Sequence, residues 1–96
     1  MRLLIVEDEP NLGRQLKATL EGAGYAVDLA TDGEDGHFLG STESYDAAVL
    51  DLGLPDRSGH DILAAWRAEQ NMIPVVILSS RTDEAGIVRA LELGAD

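Results

Sequence analysis

With 96 residues, 45% of them hydrophobic, the chain has room for one small domain and is too apolar for a disordered one. A formal charge of −11, from 18 acids against seven Lys and Arg, opposes unaided contact with nucleic acid or anionic membrane surfaces, which reward basic side chains. The absence of cysteine excludes disulfides and thiolate metal sites, and no stretch approaches a signal-peptide core or the roughly 18 apolar residues of a membrane span. The composition reads as a soluble, acidic, cytoplasmic domain.

The chain opens on "LLIV" (3–6), a continuous apolar run suited to a strand covered on both faces, and passes at once into Glu7, Asp8 and Glu9. Residues 11–23 set Leu12, Leu16 and Leu20 four apart, on one face of a helix. "EGAG" then ends it, with Gly22 or Gly24 available for the left-handed cap. "YAVDLA" (25–30) alternates in part, with Asp28 among apolar positions, which suits an edge strand. A helix over 32–42 is predicted against local propensity, since Gly36 and Gly40 each cost about 1 kcal/mol relative to Ala in a helix interior.

A second buried strand, "AAVL" (47–50), runs into Asp51 and then "LGLPDRSG". Residues 60–69 put Ile62, Leu63 and Trp66 on one helical stripe. "VVIL" (75–78) follows as a third buried strand, ending at Ser79 and Ser80. Residues 83–93 repeat the helical pattern with Ile87, Val88 and Leu91 before Gly94. This strict alternation predicts an α/β fold, a parallel sheet with helices on both faces, whose sites lie outside the C-terminal strand ends.

Adjacency of the three buried strands would bring Glu7, Asp8, Asp51 and Ser79 into one crevice. Carboxylates pressed together at a low-dielectric rim cannot all stay ionised alone. Either some protonate or a hard divalent cation joins them, and Mg²⁺ suits a site with few protein ligands and several retained waters. No histidine or cysteine accompanies the acids, which argues against zinc. Asp51 ends the middle strand, its loop carries Gly53 whose carbonyl could reach a metal, and a carboxylate attacking phosphorus is an established covalent route. Ser79 could hold one phosphoryl oxygen.

Together, "LLIVEDEP", "AVLDLGLPDRSG", "PVVILSSR" and "ALELGAD" resemble, from Leu3 to Asp96, the receiver domain of bacterial two-component response regulators, with wording closest to the OmpR/PhoB type. The resemblance implies a flavodoxin-like (CheY-like) doubly wound sheet, of strand order 2-1-3-4 in this chain. It implies a phosphoacceptor signalling domain rather than an enzyme, with Asp51 taking a phosphoryl group from the phosphohistidine of a sensor histidine kinase. Asp8, Asp51 and the Gly53 carbonyl would bind Mg²⁺ directly, Glu7 would act through water, and Ser79 would stand at the switch position. Control of transcription would follow, through a DNA-binding module that this chain lacks, with no nucleic-acid contact by the receiver itself.

The family pattern also needs a lysine at the end of a fifth strand, and Lys17, the one lysine present, is not placed to be it. The reading over 1–96 is therefore a receiver domain truncated after its fourth helix, without fifth strand and helix. An apolar edge left bare on "VVIL" then predicts self-association by dimerisation or element exchange. The competing functions are an interaction module that has lost its chemistry, a flavodoxin-like nucleotide or flavin binder, and a metal-dependent phosphatase. The binder would want a phosphate cradle after the first strand, where three acids stand; the phosphatase would want an acid where Gly53 stands. His37 and His60 read as surface residues without a role, Trp66 as core or interface packing, and "TDGEDG" (31–36) as a solvated turn rather than a calcium loop.

Overall fold

The structure, a computed structural model, describes residues 1–78. Seven elements follow the predicted order: β1 (Arg2–Val6), α1 (Pro10–Gly22), β2 (Ala26–Ala30), α2 (Gly33–Thr42), β3 (Ala47–Asp51), α3 (Gly59–Ala68) and β4 (Val75–Leu78). The strands form one parallel sheet in the order β2-β1-β3-β4, as expected, with β2 at an edge. Ser79 and the helix expected over 83–93 lie outside the described residues.

Alternation along each strand divides the apolar side chains between two faces. On one face Leu4, Val6, Ala48, Leu50 and Val75 pack with Ile62, Leu63 and Trp66 of α3 and Leu39 of α2. On the other, Leu3, Ile5 and Val27 pack with Leu16 and Leu20 of α1. Strands buried on both sides leave no use for polar alternation, which is why "LLIV" and "AAVL" read as unbroken apolar runs. Val76 of β4 is 54% exposed.

Helix ends are set by identifiable side chains. Glu9 caps α1, its carboxylate accepting from Asn11 N (3.1 Å) and Leu12 N (2.6 Å), with Pro10 opening the helix, where its missing N–H is no loss. At the other end Gly24, not Gly22, adopts the left-handed conformation, at φ +99°. The helix predicted least favourably by propensity, α2, is present because packing overrides that cost. A Cβ on Gly36 would stand 2.6 Å from Val6 Cγ1, and one on Gly40 would overlap the Trp66 indole. Both glycines let α2 approach the sheet and α3 more closely than any side chain would permit.

Asp28 earns its place in the edge strand through a polar cluster at the N-terminal strand ends. Its Oδ2 accepts from Arg2 Nη2 (2.9 Å) and from the Tyr45 hydroxyl (2.7 Å), while the Arg2 guanidinium lies 4.8 Å from the Tyr45 ring centroid. The Tyr45 bond, then Arg2, holds the Asp28 carboxyl below its usual range. Burial first, and the bond to Asp28 second, push the Tyr45 phenol up to about 12. Because that value is raised from 10.0, the stabilisation is complete below pH 10 and is lost as pH rises through about 12. Alkaline titration followed by phenolate absorbance is expected to place Tyr45 near 12, and Tyr45→Phe removes that step at a cost of about 1 kcal/mol in denaturant unfolding.

Candidate metal centre

Register builds the site. In the parallel β1–β3 pair Val6 lies opposite Leu50, so Glu7, just past β1, stands beside Asp51, the last residue of β3. Glu7 is only 4% exposed and Asp51 8%, and Asp8 beside them is half-buried. Carboxylate oxygens of Glu7, Asp8 and Asp51 all lie within 4.8 Å of one another. At that separation, and with an effective dielectric of about 20, two full charges repel by roughly 3 kcal/mol.

Three acids that look alike in the sequence are therefore given different work. Glu9 turns outward to cap α1, while Glu7 and Asp8 turn to Asp51. The Glu7 backbone N–H donates to Ala30 O (3.0 Å), and its Oε1 accepts from Glu9 N (3.0 Å), which fixes the carboxylate's position. Asp51 Oδ1 accepts from the N–H of Gly53 (3.0 Å), so the tight turn after β3 holds one acceptor oxygen in place. Gly53 thus has a structural contact with Asp51 through its N–H, beside any role of its carbonyl.

Burial first, opposed by the Glu9 N–H and reinforced by the charges of Asp51 and Asp8, raises the Glu7 carboxyl above its usual range. A raised carboxyl stabilises the fold fully below the unfolded value, near 4.5, and that contribution is lost as pH rises through the folded value. Chelator-treated protein is therefore expected to lose stability on going from acid to neutral pH. Glu7→Gln is expected to melt higher than wild type at neutral pH without cation, and added Mg²⁺ to narrow the gap by raising the wild type more than the variant, which keeps Asp8 and Asp51. Thermal melts with and without Mg²⁺ check both.

The donor set suits a hard cation. Among the described residues the converging atoms are carboxylate oxygens, two of the three residues are buried, and neither histidine belongs to the group. A small divalent ion relieves the repulsion that burial imposes, and Mg²⁺ accepts such a set while keeping waters on its open positions.

The structure brings Glu7, Asp8 and Asp51 together; the fourth expected member, Ser79, lies outside the described residues. It corrects the reading of His37 as a bystander. His37 Nε2 lies 2.7 Å from Glu69 Oε2, its Nδ1 lies 2.6 Å from Arg57 Nη1, and its carbonyl accepts from Trp66 Nε1 (3.3 Å). Ser41 Oγ donates to the other Glu69 oxygen (2.7 Å), so the group joins α2 to α3 and to the loop after β3. The Ser41 bond first, then His37, holds the Glu69 carboxyl below its usual range. Trp66 is wholly buried, in the core.

The segment "TDGEDG" is a helix start. Asp32 Oδ1 accepts from Asp35 N (2.8 Å), and Asp56, 23 residues beyond Gly33, accepts from Gly33 N (2.8 Å) and Glu34 N (3.0 Å). The Gly33 N–H, followed by that of Glu34 among other backbone amides, holds the Asp56 carboxyl below its usual range. Sequence spacing carries no signal for Asp56, because its partners belong to another element.

A family model for the response regulator receiver domain matches residues 3–96. The chain belongs to that family. This receiver domain is 43% identical over all 96 residues to the transcriptional regulatory protein CusR of Escherichia coli K12, and spans 42% of that protein's length. Its curated relatives are regulators of the OmpR/PhoB type. Among solved structures, it resembles a response regulator from Burkholderia pseudomallei described with a phosphorylated aspartic acid, calcium ion and citrate. There the TM-score is 0.89 and identity 26%, over 99% of this chain and 56% of the other. The response regulator TrrA of Thermotoga maritima, in complex with Mg(2+)-BeF, superposes with a TM-score of 0.88 at 28% identity, over 99% of this chain and 81% of that one. The CheY-like receiver fold expected from the sequence is the fold of the chain. Among the described residues, no helix is long and apolar enough to cross a membrane.

Proposed function

We propose that this receiver domain accepts a phosphoryl group on Asp51 from the phosphohistidine of a sensor histidine kinase, with Mg²⁺ held at the acidic cluster. The observation that carries the reading is the meeting of Glu7, Asp8 and Asp51, within 4.8 Å, at the C-terminal ends of two adjacent strands. Asp8, Asp51 and the Gly53 carbonyl would hold the cation, with Glu7 acting through water. When bound, the cation supplies the positive charge that lets a phosphoryl group approach an acidic site.

The chain's own residues do the rest. A carboxylate oxygen of Asp51 attacks phosphorus; the P–N bond to the kinase imidazole breaks as the P–O bond to Asp51 forms. The Gly53 N–H fixes Asp51 Oδ1, so the attacking group is oriented before the donor arrives. Glu7 and Asp8 add negative charge beside Asp51, which makes the cation a requirement rather than an accessory. Ser79 is the switch residue in this reading, turning its hydroxyl to the phosphoryl group. As CusR is a transcriptional regulatory protein, the output proposed for a regulator that carries this receiver domain is control of transcription.

Treatment with acetyl phosphate tests the reading directly. One phosphoryl group is expected on Asp51, present with Mg²⁺ and absent with chelator, by intact and peptide mass analysis. Modification elsewhere, or none at all with Mg²⁺ present, refutes it.

A further inference from the structure

The loop of residues 52–58 carries Gly53, follows Asp51 and leads into α3, and several contacts among the described residues fasten it. Inside it, Gly59 N reaches Leu52 O (3.3 Å), and Leu54 is buried. On its outer side two consecutive residues fasten it to α2. Asp56 accepts from the first two N–H groups of that helix, at 2.8 and 3.0 Å, and Arg57 Nη1 reaches His37 Nδ1 one turn further on. Gly33 makes the approach close: a Cβ there would stand 2.9 Å from Arg57 Cβ and 3.0 Å from Asp56 Oδ1.

The same helix is seated on the other half of the site. Gly36 rests against Val6, the last residue of β1 and the immediate neighbour of Glu7. The first turn of α2 therefore touches the strand that carries Glu7 and Asp8 on one side and the loop that carries Gly53 on the other. The first four N–H groups of a helix lack partners within it; Asp32, next to the helix, satisfies that of Asp35, while those of Gly33 and Glu34 go to Asp56. Because this second carboxylate comes from the loop after β3, its two bonds also tie that loop to the helix.

We infer that Asp56 is a positioning residue of the acidic site: by grasping the N-terminus of α2, it sets the distance between the loop after Asp51 and the β1 end that carries Glu7 and Asp8. It touches neither cation nor phosphoryl group and acts through Gly53 and Asp51. The inference rests on the function proposed above. It fits the general finding that residues supporting metal ligands matter nearly as much as the ligands do.

Two substitutions at one helix end separate positioning from capping. Asp32→Ala and Asp56→Ala each remove a cap of α2, and both are expected to lower the melting temperature. Calorimetric titration of the whole chain with Mg²⁺, well below unfolding, is expected to show affinity weakened about tenfold in Asp56→Ala and unchanged in Asp32→Ala. Asp56→Asn, which keeps one acceptor oxygen and folds more readily, recovers most of the affinity. In metal-free protein, amide exchange at Gly53 and Leu54 is expected to quicken in Asp56→Ala alone. Wild-type Mg²⁺ affinity in Asp56→Ala overturns the inference, as does an equal loss in Asp32→Ala. A wild-type chain that takes up no Mg²⁺ overturns the functional reading itself, a result visible before any variant is made.

Discussion

Asp51→Asn is expected to abolish phosphoryl incorporation from acetyl phosphate, with no phosphorylated species detectable where the wild type is modified. The amide retains the shape of the carboxylate and an oxygen for the Gly53 N–H, which lies 3.0 Å from Oδ1 in the wild type. What it loses is the anionic oxygen that forms the bond to phosphorus. Loss from a chain that still folds is thus assignable to chemistry.

The same variant has a second expected effect, of opposite sign. Removing one of three charges held within 4.8 Å relieves pair repulsions on the order of 3 kcal/mol each at full ionisation. Burial first, with the charges of Asp51 and Asp8, raises the Glu7 carboxyl above its usual range, which lessens what is actually relieved. Asp51→Asn is therefore expected to melt higher than wild type in chelator and to respond less to Mg²⁺. A variant that folds less stably than wild type without cation would show that the three carboxylates are not in conflict.

Gly40→Ala is expected to destabilise the fold by about 2 kcal/mol, although helix propensity alone predicts a gain of about 1 kcal/mol. The new methyl would overlap the indole of Trp66, which is wholly buried and bonded through Nε1 to the His37 carbonyl at 3.3 Å. With the ring wholly buried, the helix or the core must shift to admit the methyl. Gly22→Ala makes the comparison. It lies in the last turn of α1, where an added Cβ would meet nothing within 4 Å, and should stabilise by up to about 1 kcal/mol. Denaturant unfolding of the two variants gives opposite signs for one chemical change. Equal signs would mean that α2 has no close packing against α3.

Much of the fold was legible because its strands announce themselves. "LLIV" and "AAVL" read as strands covered on both sides, "VVIL" proved a strand with Val76 54% exposed, and Asp28 marks "YAVDLA" as a strand at an edge. Convergence of Glu7, Asp8 and Asp51 follows once β1 and β3 are neighbours, since parallel register then leaves no freedom in where their ends fall. Less legible were contacts between elements distant in the chain. Gly36 and Gly40 read as defects in a helix because propensity is a local quantity, whereas their value lies in Val6 and Trp66. His37 read as a surface residue because its partners, Arg57 and Glu69, are 20 and 32 positions away.

Residue order alone determined which segments form apolar strands and where they end in acids; that two of these ends share one rim followed once β1 and β3 were neighbours. Only the tertiary structure decided how the acids divide their tasks. It turned Glu9 away to cap α1, pressed Glu7 against Asp51, and brought Asp56 across to α2. The physical reason is one of range: apolar periodicity is written along a single element, while the direction of a carboxylate depends on which backbone N–H groups and charges other elements set beside it.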